Sequence, residues 1–270
     1  MVPKVAIVKF DDDVQDSLEQ ALKLIGEIND LNTPERSVVI KPGIFDHRKK
    51  NHPTVDVVNA IINSFNRASQ FFIAESDNYR GLASERLQIY KEVFTKRAVP
   101  FSLSDDTNTK EVKIADEKIS FSHILFKPNV FVSTHVLRKY DKGTILKNLL
   151  GLTPDRKKVR FHKKLVSVLL DTYEAIGGID LAVLDATRTY SGRITIDTNV
   201  IVAGRDAVAV EAVGATLAGL KPEKMPIIKE AMNRGLGQGD VGKIKVLGIP
   251  IESLKEEIHQ CMTRKKSSNR

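Results

Sequence analysis

Short apolar runs alternate with segments of 3.6-residue apolar periodicity along most of this chain, and that alternation restricts its fold more than any other feature. Val5–Val8 reads as a first strand, followed by a helix whose apolar face is Val14, Leu18, Ala21, Leu22 and Ile25. Val38–Ile40 is a second strand. Pro53-Thr54 then opens a helix through Val57, Val58, Ile61, Ile62 and Phe65, with proline in the first turn, where its missing N–H costs nothing. Phe71–Ala74 gives a third strand and residues 83–96 a helix. Residues 101–127 break the pattern, with an exposed turn at Asp105–Lys110 and short strands near Val112–Ile114 and Ile119–Phe121. Regularity returns with a strand at Asn129–Ser133, helices at 145–150 and Phe161–Tyr173, and strands at Leu181–Leu184 and Val200–Ala203. Asp206 caps a helix of small residues running to Gly219, Pro226–Arg234 makes another helix, and Ile244–Leu247 is the final strand. No repeat of solenoid length is present.

This order predicts an α/β fold, with a mainly parallel sheet or sheets covered by helices on both faces. The 270 residues suffice for one domain over 1–260, or for closely packed lobes over 1–125 and 126–260, followed by a basic tail at 261–270. No run approaches the roughly 20 apolar residues of a bilayer span. Met1-Val2-Pro3-Lys4 leads into an apolar strand without a signal-peptide pattern, so the expected location is cytoplasmic. Cys261 is the single cysteine, which rules out an internal disulfide and an iron–sulfur cluster held by several cysteines of this chain. The cofactor is otherwise unknown. A net charge of +8 favours anionic partners, from phosphorylated metabolites to RNA, without choosing among them.

In parallel sheets, ligands collect beyond the carboxyl ends of the strands. The residues expected there are polar: Lys41-Pro42-Gly43, Glu75-Ser76-Asp77, Ser133-Thr134-His135 and Asp185. If these strands are parallel neighbours, an amine, two carboxylates and an imidazole meet at one edge. Taken singly, each also reads as a solvated strand end or a turn cap.

A second signal is Lys147-Asn148-Leu149-Leu150-Gly151-Leu152-Thr153-Pro154. With Thr144 as N-cap and Gly151 as stop, helix 145–150 turns Ile145, Leu146, Leu149 and Leu150 inward and leaves Lys147 and Asn148 on the other side. Lys147 suits an anion clamp or, once desolvated, a base or Schiff-base amine. Asn148 offers donors and an acceptor to a polar substrate. His162, at the start of a helix, is disfavoured as imidazolium and suits proton acceptance near neutral pH. The expected catalytic residues are therefore Lys147, His162 and Asp185, and the expected substrate-binding residues Lys41, Glu75, His135, Asn148 and Asp206, with no metal. The plain alternatives are an exposed helix lysine and a surface cap.

Three weaker signals accompany these. Glu211, inside a helix of small apolar residues, needs a cation or several donors, for which Arg205 or Lys41 would serve, and reads best as a structural ion pair. Gly235-Leu236-Gly237-Gln238-Gly239 has phosphate-cradle composition but follows a helix and precedes a strand, the reverse of the order such a site needs, so it reads as a helix stop and loop. His47 and His52 near Asp46 have ligand chemistry, yet fit a basic loop better than a metal site.

Together, Val39-Ile40-Lys41-Pro42-Gly43, the Lys147-Asn148-x-x-Gly151-Leu152 block with His162 downstream, Leu184-Asp185, Gly192 and the Arg205-Asp206 to Glu211 segment resemble the family known as domain of unknown function 362. The resemblance implies an α/β fold and a shared pocket of Lys41, Lys147, Asn148, His162, Asp185 and Asp206, with no established reaction. It departs at Gly43, where the family usually has asparagine, and at Glu211, where it usually has aspartate. Members are often joined to a ferredoxin-like iron–sulfur segment, a property this chain's single cysteine does not carry over as an internal cluster.

Three functions follow as expectations. The first is an enzyme acting on a small anionic metabolite. The second is a redox accessory protein working beside a separate ferredoxin-like partner. The third is a nucleic-acid binder using the basic 156–164 segment and Arg264-Lys265-Lys266, against which stand the 6% aromatic content and the lack of a binding module. No membrane partner is expected.

Overall fold

The computed structural model describes residues 2–11, 13–126, 128–191 and 194–268, apart from the side chains of 266–268. Gly192 and the last two residues of the basic tail lie outside them. The described elements are β1 (Lys4–Lys9), α1 (Val14–Ile25), β2 (Val38–Pro42), α2 (Val55–Ser64), β3 (Phe71–Glu75), α3 (Ala83–Leu87), β4 (Ala98–Ser102), β5 (Thr109–Ile114), β6 (Glu117–Ser122), β7 (Val130–Arg138), α4 (Leu165–Ala175), β8 (Leu181–Ser191), β9 (Ile194–Gly204), α5 (Ala207–Leu217), α6 (Pro226–Asn233), β10 (Lys245–Gly248) and α7 (Ile251–Ser268). The chain forms two compact units, each built from separated stretches rather than from one half: Met1–Glu27, His135–Ile145 and Leu181–Arg270 in the first, Ile28–Thr134 and Leu146–Asp180 in the second.

In the second unit, β2 lies between β7 and β3, β4 flanks β3, and every one of these pairings is parallel. All five residues of β2 are buried, as a strand flanked on both edges and covered on both faces requires. α3 packs on β3 and β4. A separate antiparallel hairpin, β5–β6, pairs Ile114 with Glu117 across a two-residue loop. Its loop residues Ala115 and Asp116 both have positive φ, 47° and 71°, the mark of a type I′ turn made here without glycine. The turn is held by Asp171, whose carboxylate accepts from the Ala115 N–H at 2.7 Å. Replacing Ala115-Asp116 by Asn-Gly, the pair best suited to this geometry, is expected to add about 0.5–1 kcal/mol, seen as a higher urea midpoint at unchanged m-value. A lower midpoint would mean that the native pair contributes something other than turn geometry.

The first unit orders its strands β10-β1-β9-β8, with β10 parallel to β1 and β9 antiparallel to both β1 and β8. Residues Val5–Val8 of β1 are all buried, so both faces of this sheet are covered; α1 and α5 each pack on β1 and β9. α1 shows how local chemistry sets its limits: Asp13 caps its N-terminus through the Gln15 and Asp16 N–H groups, and Gly26 ends it in the left-handed conformation at φ 105°. α5 is buried nearly all round, and a Cβ at Gly214 would lie 2.4 Å from Leu184 Cδ1, which explains a glycine inside a helix. Among the described residues no helix is long and apolar enough to cross a membrane.

Several expected boundaries shift. Residues 147–152 form a 3-10 segment, not the helix expected at 145–150, and Gly151 lies inside it. A 3-10 segment over Lys158–Lys164 precedes α4, so His162 sits three residues before the α-helix and does not begin it. β8 continues to Ser191 and β7 to Arg138, which puts Asp185 and His135 inside strands and not at their ends. The helix expected near 83–96 is α3 followed by a 3-10 segment, and β4 was not foreseen. Residues 261–268 belong to α7.

Candidate functional site

The carboxyl ends of β2 and β3 bring Lys41 and Glu75 together in the second unit, each about 1% exposed. Lys41 Nζ lies 3.0 Å from Glu75 Oε1 and donates to Asn148 Oδ1 at 3.1 Å and to the Pro42 carbonyl at 2.9 Å. An ammonium has three N–H donors, and all three are used. Asn148 answers in both directions, its Nδ2 donating to the Lys41 carbonyl at 2.8 Å, Ser133 Oγ at 3.1 Å and the Thr134 carbonyl at 3.3 Å. The amide thus ties the 3-10 segment at Lys147–Leu152 to β2 and β7.

Glu75 also faces a second buried cation. Arg86 Nη2 is 3.0 Å from Glu75 Oε2 in an ion pair outside hydrogen-bond geometry, while the guanidinium donates to the Ser76 carbonyl at 2.6 Å and to the Ile44 carbonyl. Arg86 therefore anchors the loops that follow β2 and β3. Gly151 completes the packing: a Cβ there would lie 2.8 Å from Lys41 Cε and Nζ and 3.1 Å from Glu75 Oε1. Ser76 Oγ donates to the Gly151 carbonyl at 2.6 Å.

Sequence reasoning missed Arg86 and also Lys158. Its neighbours Arg156, Lys157, Val159 and Arg160 are exposed, but Lys158 turns inward and its Nζ donates at 2.6 Å to the carbonyls of Asp77 and Asp155. Burial lowers its pKa to about 8; Glu75 and Asp155 oppose that shift, and Lys41 and Arg86 reinforce it. Lys41 is likewise lowered by burial, against the opposing attraction of Glu75. Lys41 and Arg86 thus share one buried carboxylate that also attracts Lys158, and Lys158 alone among the three cations is half-exposed. Nothing in the 156–164 run marks the third of its basic residues; only the carbonyl of Asp77, far earlier in the chain, distinguishes it.

The other expected residues are placed as follows. Lys147, beside Asn148 on the 3-10 segment, is half-buried, and His162 is exposed. His135 is buried in the first unit with Nδ1 3.1 Å from the Val136 carbonyl, and Asp185, also buried there, accepts from the Thr187 N–H at 2.9 Å. Asp206 caps α5 with both carboxylate oxygens engaged, by the N–H groups of Ala209 and Gln238 at 2.9 Å. Glu211 takes the Thr144 N–H on both oxygens, at 2.8 and 2.9 Å, and the Thr144 hydroxyl at 2.9 Å. These donors and the attraction of the half-buried Arg138 guanidinium offset its burial. Gly237 and Gly239 are fixed by close approach, since Cβ atoms there would meet Asp206 Oδ1 at 2.3 Å and Ile228 Cγ2 at 2.2 Å, in keeping with a packed loop. Asp46 is held by Arg48 at 2.9 Å, and no group of three metal-ligating side chains forms among the described residues.

A model of the family described as domain of unknown function (DUF362) matches residues 38–216, about two thirds of the chain and every residue of the Lys41–Glu75–Lys158 cluster. The chain belongs to the DUF362 family. No curated protein matches. Among solved structures, the lactate racemase apoprotein from Thermoanaerobacterium thermosaccharolyticum is similar at 12% identity and a TM-score of 0.46, over 75% of this chain and 54% of that one. This DUF362 chain thus spans about half the length of that protein. The iron–sulfur association that the family resemblance brings does not fit the residues present, because Cys261 is the single thiol and a cluster needs several ligands.

Proposed function

We propose that this protein is an enzyme that binds a small anionic metabolite, carboxylate or phosphate, at the carboxyl ends of β2 and β3, with Lys158 as the group that meets the anion and exchanges a proton with it. The single observation behind this reading is the half-buried Lys158 beside Lys41, Glu75 and Arg86, with a pKa of about 8. Such a group is mostly ammonium at pH 7 and mostly amine at pH 9, so it can serve as acid or base near neutrality. Lys41 and Arg86, held by Glu75, by the Asn148 side chain and by backbone carbonyls, contribute a fixed positive field that favours an anion. Lys147 and His162, on the 3-10 segments before and around Lys158, complete the proposed lining.

Sulfate, whose charge does not change near neutral pH, isolates the contribution of the lysine. A bound anion stabilises the ammonium and raises its pKa, so binding takes up a proton and weakens as pH rises through about 8. Titration calorimetry at pH 6.5 and 9.5 should show at least a several-fold loss at the higher pH. Lys158→Met should abolish that dependence and weaken binding about tenfold at pH 6.5. Equal affinity at the two pH values, unchanged by the substitution, would remove Lys158 from the site.

The basic 156–164 segment is a less suitable nucleic-acid surface than its composition suggests. Arg160 is paired with Glu117 at 2.9 Å and Asp155 at 3.0 Å, Lys158 points inward, and Lys164 donates to the Ala115 carbonyl at 3.2 Å.

A further inference from the structure

Exposed apolar side chains are concentrated around the cationic cluster. Among the described residues the exposed large hydrophobics are Val2, Phe45, Tyr79, Leu82, Val159 and Met232, and four of these six lie on the loops after β2 and β3 or beside Lys158. Tyr79 is 62% and Phe45 44% exposed. Leaving such surface in water is unfavourable, and its clustering beside buried charge marks a binding face.

The two rings form an edge-to-face pair with centroids 5.5 Å apart, and the Arg80 guanidinium lies 4.9 Å from the Tyr79 centroid and 5.8 Å from that of Phe45. The platform is fixed from beneath. Asn78 Nδ2 donates to the Phe45 carbonyl at 3.0 Å, Arg80 N–H to Asn78 Oδ1 at 2.7 Å, and Arg86 holds the Ile44 and Ser76 carbonyls. Asp46 pairs with Arg48 and, at 4.0 Å, with Arg80, so its carboxylate is spent on two arginines that remain partly exposed. Lys158 bonds the carbonyl of Asp77, two residues before Tyr79, a separation of at most about 7 Å along the chain. A ligand matching this face carries a planar ring at one end and a compact anion at the other.

We propose that the Phe45–Tyr79–Arg80 platform is the base-binding half of a mononucleotide site whose phosphate half is Lys158. This rests on the anion-binding reading above and adds the substrate class. The base stacks on the tyrosine face with the guanidinium alongside, and the phosphate reaches the Lys158 ammonium; Arg48 supplies further positive charge at the rim. A single-stranded polymer fits less well, because the cation to be met is one half-buried lysine and not an open groove.

Calorimetry with AMP, GMP, CMP and UMP against ribose 5-phosphate separates the two ideas. At least one mononucleotide should bind tenfold or more tightly than the sugar phosphate. Tyr79→Ala with Phe45→Ala should erase that advantage while leaving ribose 5-phosphate affinity within about twofold, since base stacking on an aromatic side chain is worth roughly 5- to 150-fold. Both rings are on the surface, so circular dichroism and melting of the variant should match the parent. Equal binding of nucleotides and sugar phosphate, weakened about tenfold by Lys158→Met, would overturn the base platform and spare the anion site. No binding of either would overturn both. Oligo(A) binding that strengthens with length, without mononucleotide binding, would overturn the proposal in favour of a polymer surface.

Discussion

Glu75→Ala is expected to cost about 3–5 kcal/mol of unfolding free energy, a large share of the 5–15 kcal/mol typical of a folded domain. The reason is the identity of what remains. Lys41 and Arg86 would stay almost fully buried, with the one carboxylate that pairs with both among the described residues removed. Each would also repel the other across the vacated space. Urea unfolding followed by circular dichroism measures the loss, and a decrease below about 1 kcal/mol would show that the carboxylate does not hold these charges. Lys41→Met removes one of the stranded cations, so the double variant should lose about 1–3 kcal/mol less than the sum of its parts. Strict additivity would mean that the two side chains act independently despite their 3.0 Å separation.

Gly151→Val should cost about 3 kcal/mol or more, for a different reason. The new Cβ would fall 2.8 Å from Lys41 Cε and Nζ, and the lysine cannot swing aside because Glu75, Asn148 and the Pro42 carbonyl hold all three of its N–H groups. Either the ammonium leaves its partners or the 3-10 segment moves outward, and overpacking of this kind costs about 1–3 kcal/mol before any buried charge is unpaired. Combining it with Lys41→Ala should recover part of the loss, because the atoms in conflict are then gone. A melting temperature that does not rise in the double variant would place the strain elsewhere.

Several features of the site are legible from residue order alone. A polar residue directly after a run of buried apolar ones stands at a strand end, so Lys41 after Val38–Ile40 and Glu75 after Phe71–Ala74 could be assigned to one edge of a parallel sheet. Asn148 and Gly151 were marked by their block, though for other reasons: the amide was expected to face a substrate and the glycine to stop a helix. In the structure Asn148 bonds Lys41 at the end of β2 and Ser133 and Thr134 within β7, and Gly151 lies against the ion pair. Asp185 and His135 were misplaced because polarity alone does not end a strand. A buried polar residue continues a ladder when its side chain finds a donor or acceptor nearby, as Asp185 does with the Thr187 N–H.

Periodicity and turn chemistry by themselves determined the strand and helix order apart from β4 and α7, the α/β class and the polar character of the sheet's carboxyl edge, because these depend on neighbours within a few positions. Tertiary structure decided which charges are buried and which carboxylate they share. It turned Lys158 away from the solvated run in which it is embedded, and it set Phe45 beside Tyr79. Those outcomes depend on groups brought close only when distant segments pack, and the free energy of a charge or an exposed ring is fixed by that packed environment and not by the residue type.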